Sequence, residues 1–154
     1  MLRLILLNLF VLIIFSFDRF LKLWFLKNPS VKIGSDFISG LFNFHLETNT
    51  GMAFGLILPR IFLTIAVFLI IFFLFFVLVK SYQQKKVFNT FFITLIIAGA
   101  VSNLIDRLRF GLVLDYIDVP WFTVFNLADV MISFGVALWC LYLLVDPPKF
   151  FKGD

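Results

Sequence analysis

Four aspartates, Asp106, Asp115, Asp118 and Asp129, fall within the stretch VSNLIDRLRFGLVLDYIDVPWFTVFNLADV, residues 101–130, of an otherwise oily chain. Charge at membrane depth is costly, and within a span it normally faces a bundle interior, a partner or a water-filled cavity. Asp115 stands alone in GLVLDYI and Asp129 alone in FNLADVMI, neither with a basic neighbour in sequence. Two carboxylates brought together in a poorly hydrated site cannot both ionise comfortably. One keeps its proton, and the pair can then work as acid and base, an arrangement able to activate water against an amide. Asp106 has Arg107 and Arg109 beside it as partners, and Asp118, two residues before Pro120, reads as a turn or surface acid.

Helical spacing gathers further polar residues around this pair. Asp18 and Lys22 are four apart, as are Asn103 and Arg107, and Asn126 and Asp129 are three apart, so each pair shares a helix face. Plainer readings stand beside the chemical one. Asp18 with Lys22 could be an interfacial ion pair that ends a helix, and Arg107 could snorkel to the headgroups, although that leaves the Asn103 amide unexplained. No metal site is expected, because the only histidine, His45, lies on the polar side of an extended segment and no His or Cys spacing suits zinc. Ser102 has no nearby base to make it a nucleophile. Cys140, the single cysteine, excludes an internal disulfide and reads as a small core or lipid-facing residue. No cofactor is called for.

The elements that must position these groups are membrane spans. Of 154 residues 62% are hydrophobic and only 14% charged, far from the roughly 25% charged usage of soluble domains. The chain reads as an α-helical integral membrane protein, a single domain over residues 1–154. Four runs supply the roughly 20 apolar residues a bilayer core requires: about 4–23, 61–79, 87–105 and 124–145. The first follows Arg3 but lacks a small-residue cleavage site, so it is expected to be a permanent helix and not a removable signal. In the region 27–60, Phe42, Phe44 and Leu46 alternate with Asn43, His45 and Glu47, the period of a half-buried strand. Gly51 and Gly55 punctuate a second extended piece, so a small sheet at the membrane surface is expected. Pro120 argues against helix in the 108–123 connection.

The basic residues Arg3, Lys80, Lys85, Lys86, Lys149 and Lys152 lie on the side of the termini, six against seven opposite (Arg19, Lys22, Lys27, Lys32, Arg60, Arg107, Arg109). The first six sit in very short segments, which positive-inside reasoning weights, so both termini are expected in the cytoplasm. Alternation of four spans then places Asp18, Lys22, Asn49, Ser102, Asn103, Asp106, Arg107, Asn126 and Asp129 at one opposite face, with nothing similar buried at the other. The net charge of +4 is spread without a basic block, and no nucleic-acid partner is expected.

At DRFLK (18–22), NTGMAFG (49–55), GAVSNLIDR (99–107), VLDYID (113–118) and FNLADVMI (125–132) the sequence resembles the lipoprotein signal peptidases, also called signal peptidase II. The five blocks follow the order and spacing of that family and span nearly the whole chain. The resemblance implies four transmembrane helices with a small extracytoplasmic sheet in the bacterial cytoplasmic membrane. It also implies cleavage of a signal peptide just before a diacylglyceryl-modified cysteine of a prolipoprotein, and inhibition by globomycin-type cyclic peptides. Asp115 and Asp129 would be the catalytic dyad; Asn49, Asn103, Arg107 and Asn126 would line the site, and Asp18 with Lys22 would form the N-terminal polar pair. The chain departs from the usual pattern at Arg19 (Gln), Met52 (Ala), Ser102 (Gly) and Tyr116 (Phe), and Arg19 puts the role of Asp18 in question.

Two other classes compete. A proton or ion relay would distribute ionisable residues through the membrane depth, whereas here they cluster at one face. A structural bundle subunit would show small-residue packing motifs, of which only Gly99 with Asn103 gives a hint.

Overall fold

The computed structural model describes residues 2–31, 43–51 and 59–145. Helix α1 (Leu2–Lys27) is followed by strand β1 (Asn43–Asn49), helices α2 (Arg60–Gln83) and α3 (Val87–Phe110), strand β2 (Val113–Asp118) and helix α4 (Leu127–Val145). All four helices are long and apolar enough to cross a membrane. Each of the first three runs past the expected span at one or both ends, because amphipathic residues such as Trp24, Lys27 and Arg109 continue the helix beyond the purely apolar run. Helix α4 starts three residues later than expected, at Leu127, since Asn126 is its cap and Phe125 is bridged to Ile117.

Helix α3 packs against the other three helices and carries the core residues Ile93, Leu95, Ile96 and Ala100. Its contact with α4 is close because glycines sit in the seam: a Cβ on Gly99 would lie 2.5 Å from the Ala128 carbonyl oxygen, and one on Gly135 2.8 Å from Ile96. Helix α2, without a charge between Arg60 and Lys80, packs chiefly on α3, accepts a hydrogen bond from Asn8 of α1 on its Tyr82 hydroxyl at 2.6 Å, and turns most of its phenylalanines outward, as a lipid-facing helix should. Cys140 is exposed in α4 within the same apolar surroundings.

Strands β1 and β2 form a two-stranded antiparallel sheet at the end of the bundle away from Leu2 and Val145, with Glu47 opposite Asp115 and Asn49 opposite Val113. The expected alternation in β1 is not clean, because a bulge between Phe44 and Glu47 breaks the period of two. Phe42 and the second extended piece, Met52 to Gly55 included, lie outside the described residues, as do Lys149 and Lys152. Asp118 is the last residue of β2 and not a loop acid; His45 lies half-buried between Glu47, 3.7 Å away, and Asp118, 3.8 Å away.

The opposite end of the bundle is not purely apolar, which corrects the expectation from sequence. The hydroxyls of Ser81 and Thr90 lie 2.8 Å apart, the Asn89 amide donates to Ser81, and Trp139 Nε1 donates to Asn89 Oδ1 at 2.6 Å. The cluster is uncharged, and it ties α2, α3 and α4 together.

Candidate active site

Helix α3 ends at Gly111, whose φ of 72° is the left-handed conformation that glycine adopts without a Cβ penalty, and whose N–H returns to the Arg107 carbonyl at 3.0 Å. The chain then reverses into β2, buried on both faces from Val113 to Tyr116. Asp115 is 2% exposed. Beyond β2 the chain is pinned again: Phe125 exchanges backbone hydrogen bonds with Ile117 at 2.8 and 3.0 Å, which fixes where α4 begins.

The start of α4 is a reciprocal cap. Asn126 Oδ1 accepts the Asp129 N–H at 2.9 Å, and Asp129 Oδ2 accepts the Asn126 N–H at 3.2 Å. This makes Asp129 a first-turn residue held by the local geometry that starts the helix. The same Asn126 reaches the other carboxylate, its Nδ2 donating to Asp115 Oδ1 at 2.6 Å. One asparagine therefore bridges Asp115 and Asp129. Asn103 on α3 supports both partners: its Nδ2 donates to Asp129 Oδ1 at 2.7 Å, and its Oδ1 accepts from Asn126 Nδ2 at 3.2 Å. Asn49 of β1 adds a hydrogen bond to Asp115 and folds its own Oδ1 onto the Gly51 N–H at 2.8 Å. The Arg107 charge acts on Asp129, Asp115 and Asp106 from the rim of the site, where it is half-buried.

Asp115 titrates well above an ordinary carboxyl, at about 6. Burial is the main cause, and the charge of Asp129 adds to it; the amides of Asn49 and Asn126 and the Lys22 ammonium pull the other way without cancelling it. A buried carboxyl beside a second one, both held by neutral amides, is the arrangement in which a single proton is shared.

Beneath the pair lies a layer of charge in which Asp18, Lys22 and Asp106 are fully buried and paired, with Arg19 at its edge, 13% exposed and its Nη2 without a hydrogen-bond partner among the described residues. Lys22 points its three ammonium hydrogens at Asp106 (2.7 Å), Asn103 Oδ1 (2.8 Å) and Asp18 (3.4 Å). Helix α1 continues past it to Lys27, so the Asp18–Lys22 pair does not end the helix. Asp106 pairs with Arg19 and Lys22, both on α1, and not with the neighbouring Arg107 or Arg109. Residues adjacent on a helix diverge by about 100°, so Asp106 and Arg107 face different ways. Arg19 also donates to the Ser102 carbonyl at 3.1 Å. Ser102 Oγ, which had no evident partner in sequence, donates to Asp18 Oδ2 at 2.5 Å.

All eight residues expected at the site thus meet there. Asp106, Ser102, Arg19 and Tyr116 belong to it as well. Asp106 carried a readable signal, since it lies three and four residues from Asn103 and Ser102 on one face of α3. Among the described residues no group of three or more His, Cys, Asp or Glu side chains could hold a metal ion.

Comparison with known proteins gives concordant results. The family profile described as Signal peptidase (SPase) II matches residues 10–145. The chain is 34% identical over 145 residues to the lipoprotein signal peptidase of Clostridioides difficile (strain 630), covering 92% of this chain and 96% of that protein. It is 37% identical over 134 residues to the lipoprotein signal peptidase of Halothermothrix orenii, covering 86% and 91% respectively. Among solved structures, a bacterial membrane enzyme determined by the in meso method at 2.3 Å resolution superposes with a TM-score of 0.70 at 29% identity, covering 98% of this chain and 93% of that one. A second, at 1.9 Å resolution, gives 0.68 at 30% identity, covering 92% of both chains.

Proposed function

Because this chain belongs to the signal peptidase II family, whose members remove signal peptides from lipoproteins, we propose that Asp115 and Asp129 are an aspartic dyad that hydrolyses the peptide bond preceding a diacylglyceryl-modified cysteine. The observation that carries this reading is the Asn126 bridge, one side chain and its backbone N–H bonded to both carboxylates at 2.6 and 3.2 Å. With one proton between them, the ionised member takes a proton from water as the water attacks the carbonyl carbon. The protonated member donates to the carbonyl oxygen; the member that took the proton from water then passes it to the departing amide nitrogen, while the first regains its proton from the gem-diol hydroxyl as the C–N bond breaks. Asn103, Asn126 and Asn49 hold the carboxylates, and the Arg107 charge at the rim stabilises negative charge developing on the carbonyl oxygen.

Depth explains the substrate. The dyad lies where α3 ends and α4 begins, beside apolar helix faces that would sit in the acyl region, so a cysteine held by two acyl chains presents its scissile bond at that level. Both termini are cytoplasmic in this reading, with the site at the outer face of the bacterial cytoplasmic membrane. Reporter fusions at residues 40 and 84 test the orientation: an external readout at 40 and an internal one at 84 are expected, and the reverse contradicts it.

An ion relay fits less well, because no ionisable residue occurs on α3 between Thr90 and Asn103, and the polar cluster at the far end is uncharged. Incubation of the purified protein with a diacylglyceryl prolipoprotein, with and without globomycin, is the direct test. Cleavage before the lipidated cysteine, blocked by globomycin, is expected; an intact precursor contradicts the assignment.

A further inference from the structure

Strand β2 puts consecutive side chains on opposite faces, so presenting Asp115 to the dyad commits the next residue, Tyr116, to the bundle interior. Tyr116 is 0% exposed and stacks on Phe25 of α1, with ring centroids 5.5 Å apart and planes at 14°. Its hydroxyl is used twice. It donates to Asp18 Oδ1 at 2.9 Å and accepts the Leu127 N–H at 3.2 Å. Leu127 is the first residue of α4, two before Asp129.

The opening turn of α4 can be accounted for donor by donor. A helix leaves its first N–H groups without partners inside itself. Here the Leu127 N–H goes to Tyr116, the Ala128 N–H to Asp18 Oδ1 at 3.2 Å, and the Asp129 N–H to Asn126. Asp18, an anion at a helix N-terminus, also complements the partial positive charge there. Its second oxygen is fixed by Ser102 and Lys22. Helix α4 is thereby anchored to α1 and α3 through Asp18, and to β2 at two points: its cap Asn126, whose Nδ2 donates to Asp115 Oδ1 and the Leu114 carbonyl, and its first helical N–H, held by the Tyr116 hydroxyl.

We propose that Tyr116 is a positioning residue for the dyad: its hydroxyl locks the strand that carries Asp115 to the first turn of the helix that carries Asp129, and so sets the separation of the two carboxylates. The proposal rests on the dyad reading above. Without the Tyr116 hydroxyl, α4 keeps its cap at Asn126, the Asn126 bond to Asp115 and its anchor at Asp18, but its first helical N–H is no longer tied to β2, and the helix gains freedom to tilt about the Asn126 contact. The two charges that face each other across the site would then interact less. Lys22 on α1 and Asp106 and Arg107 on α3 are held by bonds and positions that do not involve Tyr116, and Asp18, whose charge also reaches Asp129, keeps its bonds to Ser102, Lys22 and the Ala128 N–H when the hydroxyl is removed.

The test is a double-mutant cycle on the full chain in lipid nanodiscs, with a diacylglyceryl prolipoprotein as substrate. Tyr116→Phe removes the acceptor and keeps the stacked ring. Leu127→Pro removes the donor from the other side, at a helix position where proline is tolerated. Each is expected to lower kcat about tenfold with KM within about twofold, and the pair together no more than Tyr116→Phe alone, since the bond that Leu127→Pro deletes is one of the two that Tyr116→Phe deletes. The acidic and basic limbs of the pH–rate profile should draw together in each variant, and amide exchange at Leu127 to Asp129 should rise in Tyr116→Phe. The exchange measurement needs no turnover, so it separates failure of this proposal from failure of the dyad reading. Unchanged kcat and limb positions per folded molecule, unchanged exchange, or two effects that multiply to about a hundredfold would each overturn the lock.

Discussion

Replacing Asp115 by asparagine should abolish cleavage and, above about pH 6, make the protein more stable. The carboxyl is buried beside Asp129 and titrates at about 6 where an ordinary one titrates at 3.8. A folded-state value above the unfolded one means that folding favours the protonated form. Stability from this group is fully present below 3.8 and is lost as pH rises through about 6. The gap is about two pH units, which at 1.36 kcal/mol per unit amounts to about 3 kcal/mol of destabilisation at pH 7, an order-of-magnitude figure. Asparagine has no charge to bury, and its amide can still accept from Asn126 and donate to Asp129, imitating the singly protonated pair. The stability of Asp115→Asn relative to the parent should therefore be near zero at pH 4 and favourable by up to about 3 kcal/mol at pH 7. Reversible unfolding in mixed micelles at both pH values measures it. An asparagine variant destabilised equally at pH 4 and pH 7 would refute the reasoning, because it would show that the carboxylate is not strained by burial.

Further perturbations probe the layer beneath the dyad and the seam that frames it. Lys22→Met leaves Asp18 and Asp106 buried with fewer partners and should cost about 3–5 kcal/mol, the usual result of breaking a buried charge cluster from one side, read as a lower unfolding midpoint. Asn126→Ala removes the cap of α4 and both dyad contacts; it should cost about 1 kcal/mol of stability but far more in rate, so that kcat falls while the folded fraction is largely kept. Gly99→Ala brings a Cβ to 2.5 Å from the Ala128 carbonyl, one residue from Asp129, and should lower both thermal stability and activity by prising α4 from α3.

The helices and the two lone aspartates that converge were legible because they depend on local signals. Apolar runs of membrane length mark the spans, and a lone aspartate in an apolar segment marks itself. What could not be read was the pairing of charges across great sequence distances. Arg19 is 87 residues from Asp106 and Tyr116 is 98 from Asp18, so sequence offered Arg107 as the nearer partner although its side chain diverges around the helix. The irregular strand β1 has a similar cause: the bulge between Phe44 and Glu47 is set by fit to β2, not by residue type. The neutral cluster of Ser81, Asn89, Thr90 and Trp139 went unread because single hydroxyls and amides are cheap in an apolar span and only their convergence gives them meaning.

The central claim is that Asp115 and Asp129 together carry out the hydrolysis, and the most direct measurement is cleavage of a purified diacylglyceryl prolipoprotein by purified Asp115→Asn and Asp129→Asn proteins, each first shown to be folded and inserted. Loss of cleavage in both variants is the result this account predicts; cleavage at the parent rate by either one would contradict it.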